Sequence, residues 1–315
     1  MSVHIPSTGG YEPYWGEQTS IMKFCLFAKR DMDLVIIGIM MDVEDPGKHD
    51  MTALRSADYH VSAYIGEFIN TLTSFSYVFL GGYALYRQYR IGDQAEISHA
   101  LSYISLIIVG IGSTVFHATL KYPLQLVDDL SMLLGAGIMS HYVLTIHSSP
   151  STRFNMFVLI TAVLSLGSWM HVQLHDSTLH QVVFGIMVVA VGVKTFTHIN
   201  ALVSDRALRS RLKRLGRTGY LTLIAAYALW LIDVFACSYL RSIRRVVGLP
   251  LGWLFELHGW WHILTAVGVY IYMVIGEYLR PQYRTSVLRA GQGWIDILRG
   301  PGLSVGGADG EKKDR

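Results

Sequence analysis

The chain has 315 residues, with 26 Lys and Arg against 23 Asp and Glu and a formal net charge of +3. Charged residues make up only 16% and hydrophobic ones 51%, and mean hydropathy is +0.36. That is too apolar for an ordinary soluble domain and too weakly basic for a nucleic-acid binder; it describes a polytopic membrane protein.

The first 57 residues read as a luminal N-terminal segment. No basic stretch followed by an apolar core and a small-residue cleavage site is present, so no cleavable signal peptide is expected and the first membrane helix serves as the targeting signal. Within the segment, 26–57 is atypical: Leu34 to Met41 is apolar but too short to span, and charged residues surround it. Two cysteines, Cys25 and Cys237, permit one bridge or stand as two small buried hydrophobes.

Seven apolar runs then follow, near 61–86, 99–119, 124–147, 154–172, 179–200, 218–239 and 258–279. Each is long enough to cross a bilayer core. The predicted fold is an all-α membrane protein, a seven-transmembrane helix bundle over 58–280, followed by a polar tail, 281–315, expected to be cytosolic and largely disordered. The joints are short and polar. The basic one, Arg206 to Arg217, belongs in the cytosol by the positive-inside rule. Seven crossings then put the N-terminus in the lumen and the C-terminus in the cytosol. Arg87, Arg90 and Arg153 agree; Arg241, Arg244 and Arg245 fall on the luminal side and disagree.

Ionisable groups are costly in lipid and mark function there. His117 closes the second run, Asp128 opens the third, and His258 and His262 open the seventh. Helix parity places all four at the luminal side. The 258/262 pair is one helical turn apart, so both rings face one way. With His117 they form a three-nitrogen set that leaves a fourth position for water, the pattern of a catalytic zinc site. Zinc there would acidify that water, Asp128 would accept its proton, and Ser113, four residues before His117, would hold the water or a developing oxyanion. Three imidazoles favour zinc over other divalent ions. A lone His at a helix end is more often interfacial than a ligand; the pairing and the shared side carry the argument. A rival cluster, His171, His175 and His180, sits in a short joint that reads as exposed. His141, His147 and His198 read as structural, and Asp129 as a solvated neighbour of Asp128. Asp233, in the luminal half of the sixth run, is a second-shell partner of a ligand imidazole or a buried carboxylic acid.

These residues carry a resemblance. Trp15-Gly16-Glu17 with Thr19-Ser20, Tyr64 to Asn70, Gly112 to Asp129, Leu229 to Arg241 and His258 to Thr265 together resemble the alkaline ceramidase family, and its fungal phytoceramidase and dihydroceramidase members most. The resemblance implies seven transmembrane helices and a zinc amidase of the endoplasmic reticulum or Golgi membrane that cleaves the N-acyl bond of ceramide, with phytoceramide or dihydroceramide favoured and the reverse acylation also known. It places the zinc ligands on His117, His258 and His262, and the catalytic serine and aspartate on Ser113 and Asp128. It also implies a disulfide between Cys25 and Cys237, which parity puts in the oxidising lumen.

The N-terminus departs from the family. The family has an acidic calcium site there, but Lys23-Phe24-Cys25 replaces its Asp-Trp-Cys, about 30 extra residues intervene, and only Asp58 and Glu67 match. Calcium takes six to eight oxygens, so the loss of an acid to Lys23 weakens such a site. The insert is either a genuine loop or retained non-coding sequence.

Two other classes fit the sequence less well. A seven-helix receptor of the adiponectin-receptor type would reuse three zinc histidines, but on the cytosolic side. A retinal protein needs a Lys in the seventh run, which has none, and a transporter wants broken helices with polar groups at the midplane. The sequence therefore reads as a ceramidase with a lipid substrate and no protein or nucleic-acid partner.

Overall fold

The computed structural model describes residues 14–15, 62–91, 97–174, 178–279 and 298. Cys25 and Asp58, His175, and the tail apart from Leu298 lie outside the described residues. Among those described, eight α-helices follow one another: α1 (Phe68–Ile91), α2 (Ile97–Thr119), α3 (Tyr122–Thr145), α4 (Pro150–Leu174), α5 (Thr178–Leu202), α6 (Arg206–Phe235), α7 (Cys237–Val247) and α8 (Leu257–Tyr278). A 3-10 turn, Leu251–Phe255, joins α7 to α8. The only β feature among the described residues is an isolated Ser62–Ile65 bridge.

Seven of these helices have at least 22 residues, roughly 33 Å at 1.5 Å per residue, enough for a bilayer core. Five of them, α2, α4, α5, α6 and α8, are also apolar enough to cross a membrane. The other two, α1 and α3, are as long, but Asn70, Arg87 and Arg90 in one and Asp128 and Asp129 in the other make them more polar. The chain is thus a multi-pass membrane protein.

The core is built around α8, which packs on α6, α1 and α2. Every α8 residue from Tyr270 to Tyr278 is buried, as expected of a helix that is apolar nearly all round. Close approach between α1 and α2 depends on Gly110, where an added Cβ would fall 2.7 Å from the Val78 side chain; small residues at helix contacts are the usual device in lipid. The outer helices are the opposite. On α4 only Gly167 and His171 are buried. Phe154, Leu166 and Trp169 on α4, Ile186 and Val193 on α5, and Leu221 and Tyr227 on α6 point outward. Such an apolar exterior belongs against acyl chains rather than water.

Four expectations change here. The first helix starts at Phe68, because residues 62–67 form a turn held on the end of α2. The predicted basic loop is instead the first three turns of α6. Asp205 caps it, accepting from the Ala207 and Leu208 amides at 2.6 and 3.2 Å, and Leu208, Leu212 and Leu215 form a buried stripe beneath its arginines. Arg87 is not a loop charge: it lies inside α1, fully buried, in a bidentate pair with Glu277 at 2.6 Å. Arg241, Arg244 and Arg245 do not flank a spanning helix directly; they lie on the separate 11-residue α7.

Candidate metal centre

The connection between α2 and α3 is only two residues, Leu120 and Lys121. Leu120 takes a left-handed conformation, φ 54°, and its side chain is buried against Phe116 and Leu124. Gly66 makes room for it: an added Cβ there would stand 2.8 Å from the Leu120 side chain. The α2 carbonyls at this end lack partners within the helix. The turn before α1 satisfies two of them, since the Gly66 amide donates to Ala118 and the Glu67 amide to His117, each at 2.9 Å. The tight turn sets Asp128, in the second turn of α3, beside His117. The clamp sets the Glu67 carboxylate against the same ring.

His117, His258 and His262 meet here. One ligand atom from each lies within 4.8 Å of the others, and among the described residues this is the one group of His, Cys, Asp and Glu drawn together so closely. The ring centroids are 4.6 to 5.1 Å apart, and all three residues are buried.

The surrounding acceptors fix the tautomers. His117 Nδ1 lies 2.5 Å from Glu67 Oε2, and Glu67 is itself held by the Asn70 side-chain amide at 2.9 Å. His262 Nδ1 lies 3.1 Å from the Asn70 carbonyl, with Thr73 Oγ1 at 3.1 Å and Ser74 Oγ at 3.3 Å. The Asn70 carbonyl only accepts, so His262 Nδ1 carries the proton; burial raises the Glu67 carboxyl to about 7, and His117 Nδ1 carries the proton when Glu67 is ionised. The Nε2 lone pairs then face the cluster, as in carboxylate–histidine–metal arrangements. Asp128 Oδ2 is 4.0 Å from His117 Nε2. Ser113 hydrogen-bonds to Asp128 and lies 3.0 Å from Ser74 Oγ.

Three residues take roles beyond the sequence reading. Glu67, matched there to calcium, orients His117. Asp233 acts through the backbone: its carboxylate accepts the N–H groups of Leu257 and His258. It therefore caps α8 from a neighbouring helix and fixes the first turn of α8, from which both α8 histidines project. Ser74, fully buried, was missed, because a serine in an apolar run gives no signal until its neighbours are known.

The other predicted residues are placed as follows. His141 Nε2 faces the Arg153 carbonyl and His198 Nε2 the Val143 carbonyl, at 3.1 and 2.9 Å. Asp129 is not solvated, and His171 and His180 are not in an exposed joint: all three are buried. Cys237 opens α7, and its expected partner Cys25 is outside the described residues.

Comparisons with known proteins agree on one family. The model of the family described as Ceramidase matches residues 56–297. Alkaline ceramidase YPC1 of Saccharomyces cerevisiae is 32% identical over 71% of this chain and 74% of its own length. Alkaline ceramidase 3 of Mus musculus is 29% identical over 72% of this chain and 82% of its own length. An alkaline ceramidase of Drosophila melanogaster is 26% identical, covering 70% and 74% respectively. These matches do not favour the receptor alternative. The chain belongs to the ceramidase family.

Proposed function

We propose that this chain is a zinc-dependent amidase that hydrolyses the N-acyl bond of ceramides to a sphingoid base and a fatty acid. The buried three-histidine cluster with Asp128 at its edge carries the reading, together with the family match. The residues fit the ion: three imidazoles each bring one ring nitrogen to a common point, and acceptors hold Nδ1 of two of them. When bound, zinc supplies Lewis-acid polarisation and an acidified water.

The chain's own residues do the rest. Asp128 accepts the proton of the attacking water and returns it to the amide nitrogen as the C–N bond breaks. Ser113, on the same face of α2 as His117, donates to the oxygen that gains charge on the former carbonyl. Glu67 and the Asn70 carbonyl keep two ligand rings from turning. The apolar helices leave both hydrocarbon chains of the substrate in hydrocarbon-like surroundings. The same geometry serves the reverse acylation. The fungal resemblance favours phytoceramide and dihydroceramide as substrates.

We assign the site end of the bundle to the lumen of the endoplasmic reticulum or Golgi, with a luminal N-terminus and a cytosolic C-terminus. The Cys25–Cys237 disulfide belongs on that luminal side. Of the two calcium matches, Glu67 already serves His117 and Asn70, so calcium through Asp58 and Glu67 is a secondary role at most. Fatty-acid release from phytoceramide in detergent micelles, with bound zinc quantified, tests the proposal on wild type and His262→Ala. Turnover and zinc in wild type, both lost in the variant, support it. Zinc without turnover leaves a metal-binding protein of another function, and no zinc in active wild type overturns the site.

A further inference from the structure

Asp128 and Asp129 are consecutive on α3, so their side chains leave the helix about 100° apart. Asp128 turns to the three histidines. Asp129 turns to another pair: its Oδ2 is 3.3 Å from His171 Nε2, and the His171 and His180 rings are 5.5 Å apart, centroid to centroid. Three separate helices, α3, α4 and α5, contribute one side chain each. Asp129 is 2% exposed and the two histidines 1% each.

The arrangement has the features of a ligand set. Gln125 Nε2 lies 3.4 Å from Asp129 Oδ2, the kind of hydrogen bond that orients a ligating carboxylate. Among the described residues, neither ring nitrogen of the buried His180 has a hydrogen-bond partner. Buried polar atoms are nearly always satisfied, and a neutral imidazole offers one donor and one lone pair. The centroid spacing exceeds the 4.6 to 5.1 Å of the three-histidine cluster only slightly. The ligand atoms are less tightly gathered than in that cluster, which alone among the described residues has all of them within 4.8 Å.

From this geometry we infer that Asp129, His171 and His180 form a second divalent-metal site, weaker than the first and separate from it. Two imidazoles and a carboxylate suit a first-row transition ion such as zinc, cobalt or iron(II). The second turn of α3 then carries a carboxylate for each site on adjacent residues. The site does not depend on the ceramidase reading.

The test is stoichiometry. Full-length protein in detergent is stripped with chelator, loaded with cobalt(II), freed of excess, and its metal per chain measured. Wild type is expected to hold about two equivalents, and His171→Phe, His180→Phe and His262→Ala about one each. Cobalt absorption lost in the first two variants should be distinct from that lost in the third. A single equivalent in wild type that His171→Phe and His180→Phe both retain overturns the inference and leaves His171–Asp129 as a buried ion pair. So does retention of both equivalents in His171→Phe and His180→Phe. Loss of both equivalents in His180→Phe overturns it too, because sites that cannot be emptied separately are not two.

Discussion

Helices α1, α2 and α8 carry buried polar groups at both ends, and the two ends are built on opposite rules. At one end Arg87 is matched charge for charge. Its guanidinium forks onto both oxygens of Glu277 at 2.6 Å, Tyr103 donates to the same carboxylate at 2.7 Å, and Gln88 adds a contact at 3.3 Å. At the other end, some 14 to 15 residues and roughly 20 Å along the same helices, three imidazoles face one another with no counter-charge among them. Their carboxylates, Glu67 and Asp128, stand at the edge. The first end is charge-balanced by its own residues and works as a staple between α1 and α8. The second end makes chemical sense with a cation inside it. Burial and polarity alone do not distinguish a structural cluster from a functional one; the balance of donors, acceptors and charge does.

The largest effect separating the two ends is expected from His117→Ala or His262→Ala. Either leaves two nitrogen ligands, and a catalytic zinc site needs three. Bound metal should fall below detection, with activity reduced by roughly a thousandfold or more, since metal activation of water is lost. Helical content should persist. Metal analysis beside a circular dichroism spectrum checks this, and a folded, zinc-loaded His262→Ala would break the comparison.

Next comes the staple. Glu277→Gln leaves the Arg87 charge buried and unpaired, a change that costs on the order of 3–5 kcal/mol in comparable sites. The expected outcome is a lowered melting temperature in detergent at unchanged metal stoichiometry for the fraction that folds. Replacing both partners, Arg87→Met with Glu277→Met, should recover most of the stability, because an apolar pair of similar volume removes the desolvation cost. If the double variant stays folded but loses zinc or turnover, the far end is more than a staple.

Glu67→Gln sharpens the contrast from the metal side. It keeps the shape beside His117 but weakens the acceptor that holds Nδ1–H. Removal of such outer partners costs about 10–100-fold in metal affinity or activity. Zinc competition against a chelator should show that loss, and calcium titration of the same variant tells the orienting role from the calcium role matched to this residue.

Much of the active end was legible in the sequence because its residues break apolar runs. His117, Asp128, His258 and His262 are costly in lipid, and helix parity alone gathers them. The 3.6-residue period pairs His258 with His262 and places Ser113 beneath His117. The far end was not legible, for a physical reason. Arg87 follows an apolar run directly and so reads as a cytosolic flank; its partner Glu277 is 190 residues away, and hydropathy carries no information on pairing. The start of α6 failed similarly. Six basic residues between Arg206 and Arg217 hide a leucine stripe that a helix needs and a loop does not. Asp233 was legible as a buried acid near the site. Its action through the Leu257 and His258 amides depends on where one helix ends against another.

Ser74 gives the smallest and most discriminating prediction. It stands in α1, fully buried, 3.0 Å from Ser113 Oγ and 3.3 Å from His262 Nδ1. Ser74→Ala removes one contact to Ser113, but His262 keeps the Asn70 carbonyl and Thr73. Zinc content should therefore not change. Ser113 keeps Asp128 as a partner but loses the neighbour that limits its rotation. A single hydrogen bond is worth about 1 kcal/mol net, so kcat should fall by roughly fivefold with KM little altered. An equal loss of zinc would show that Ser74 serves the ligand ring instead. An unchanged kcat would show that Asp128 alone orients Ser113, and that the polar chain at this end stops one residue short of α1.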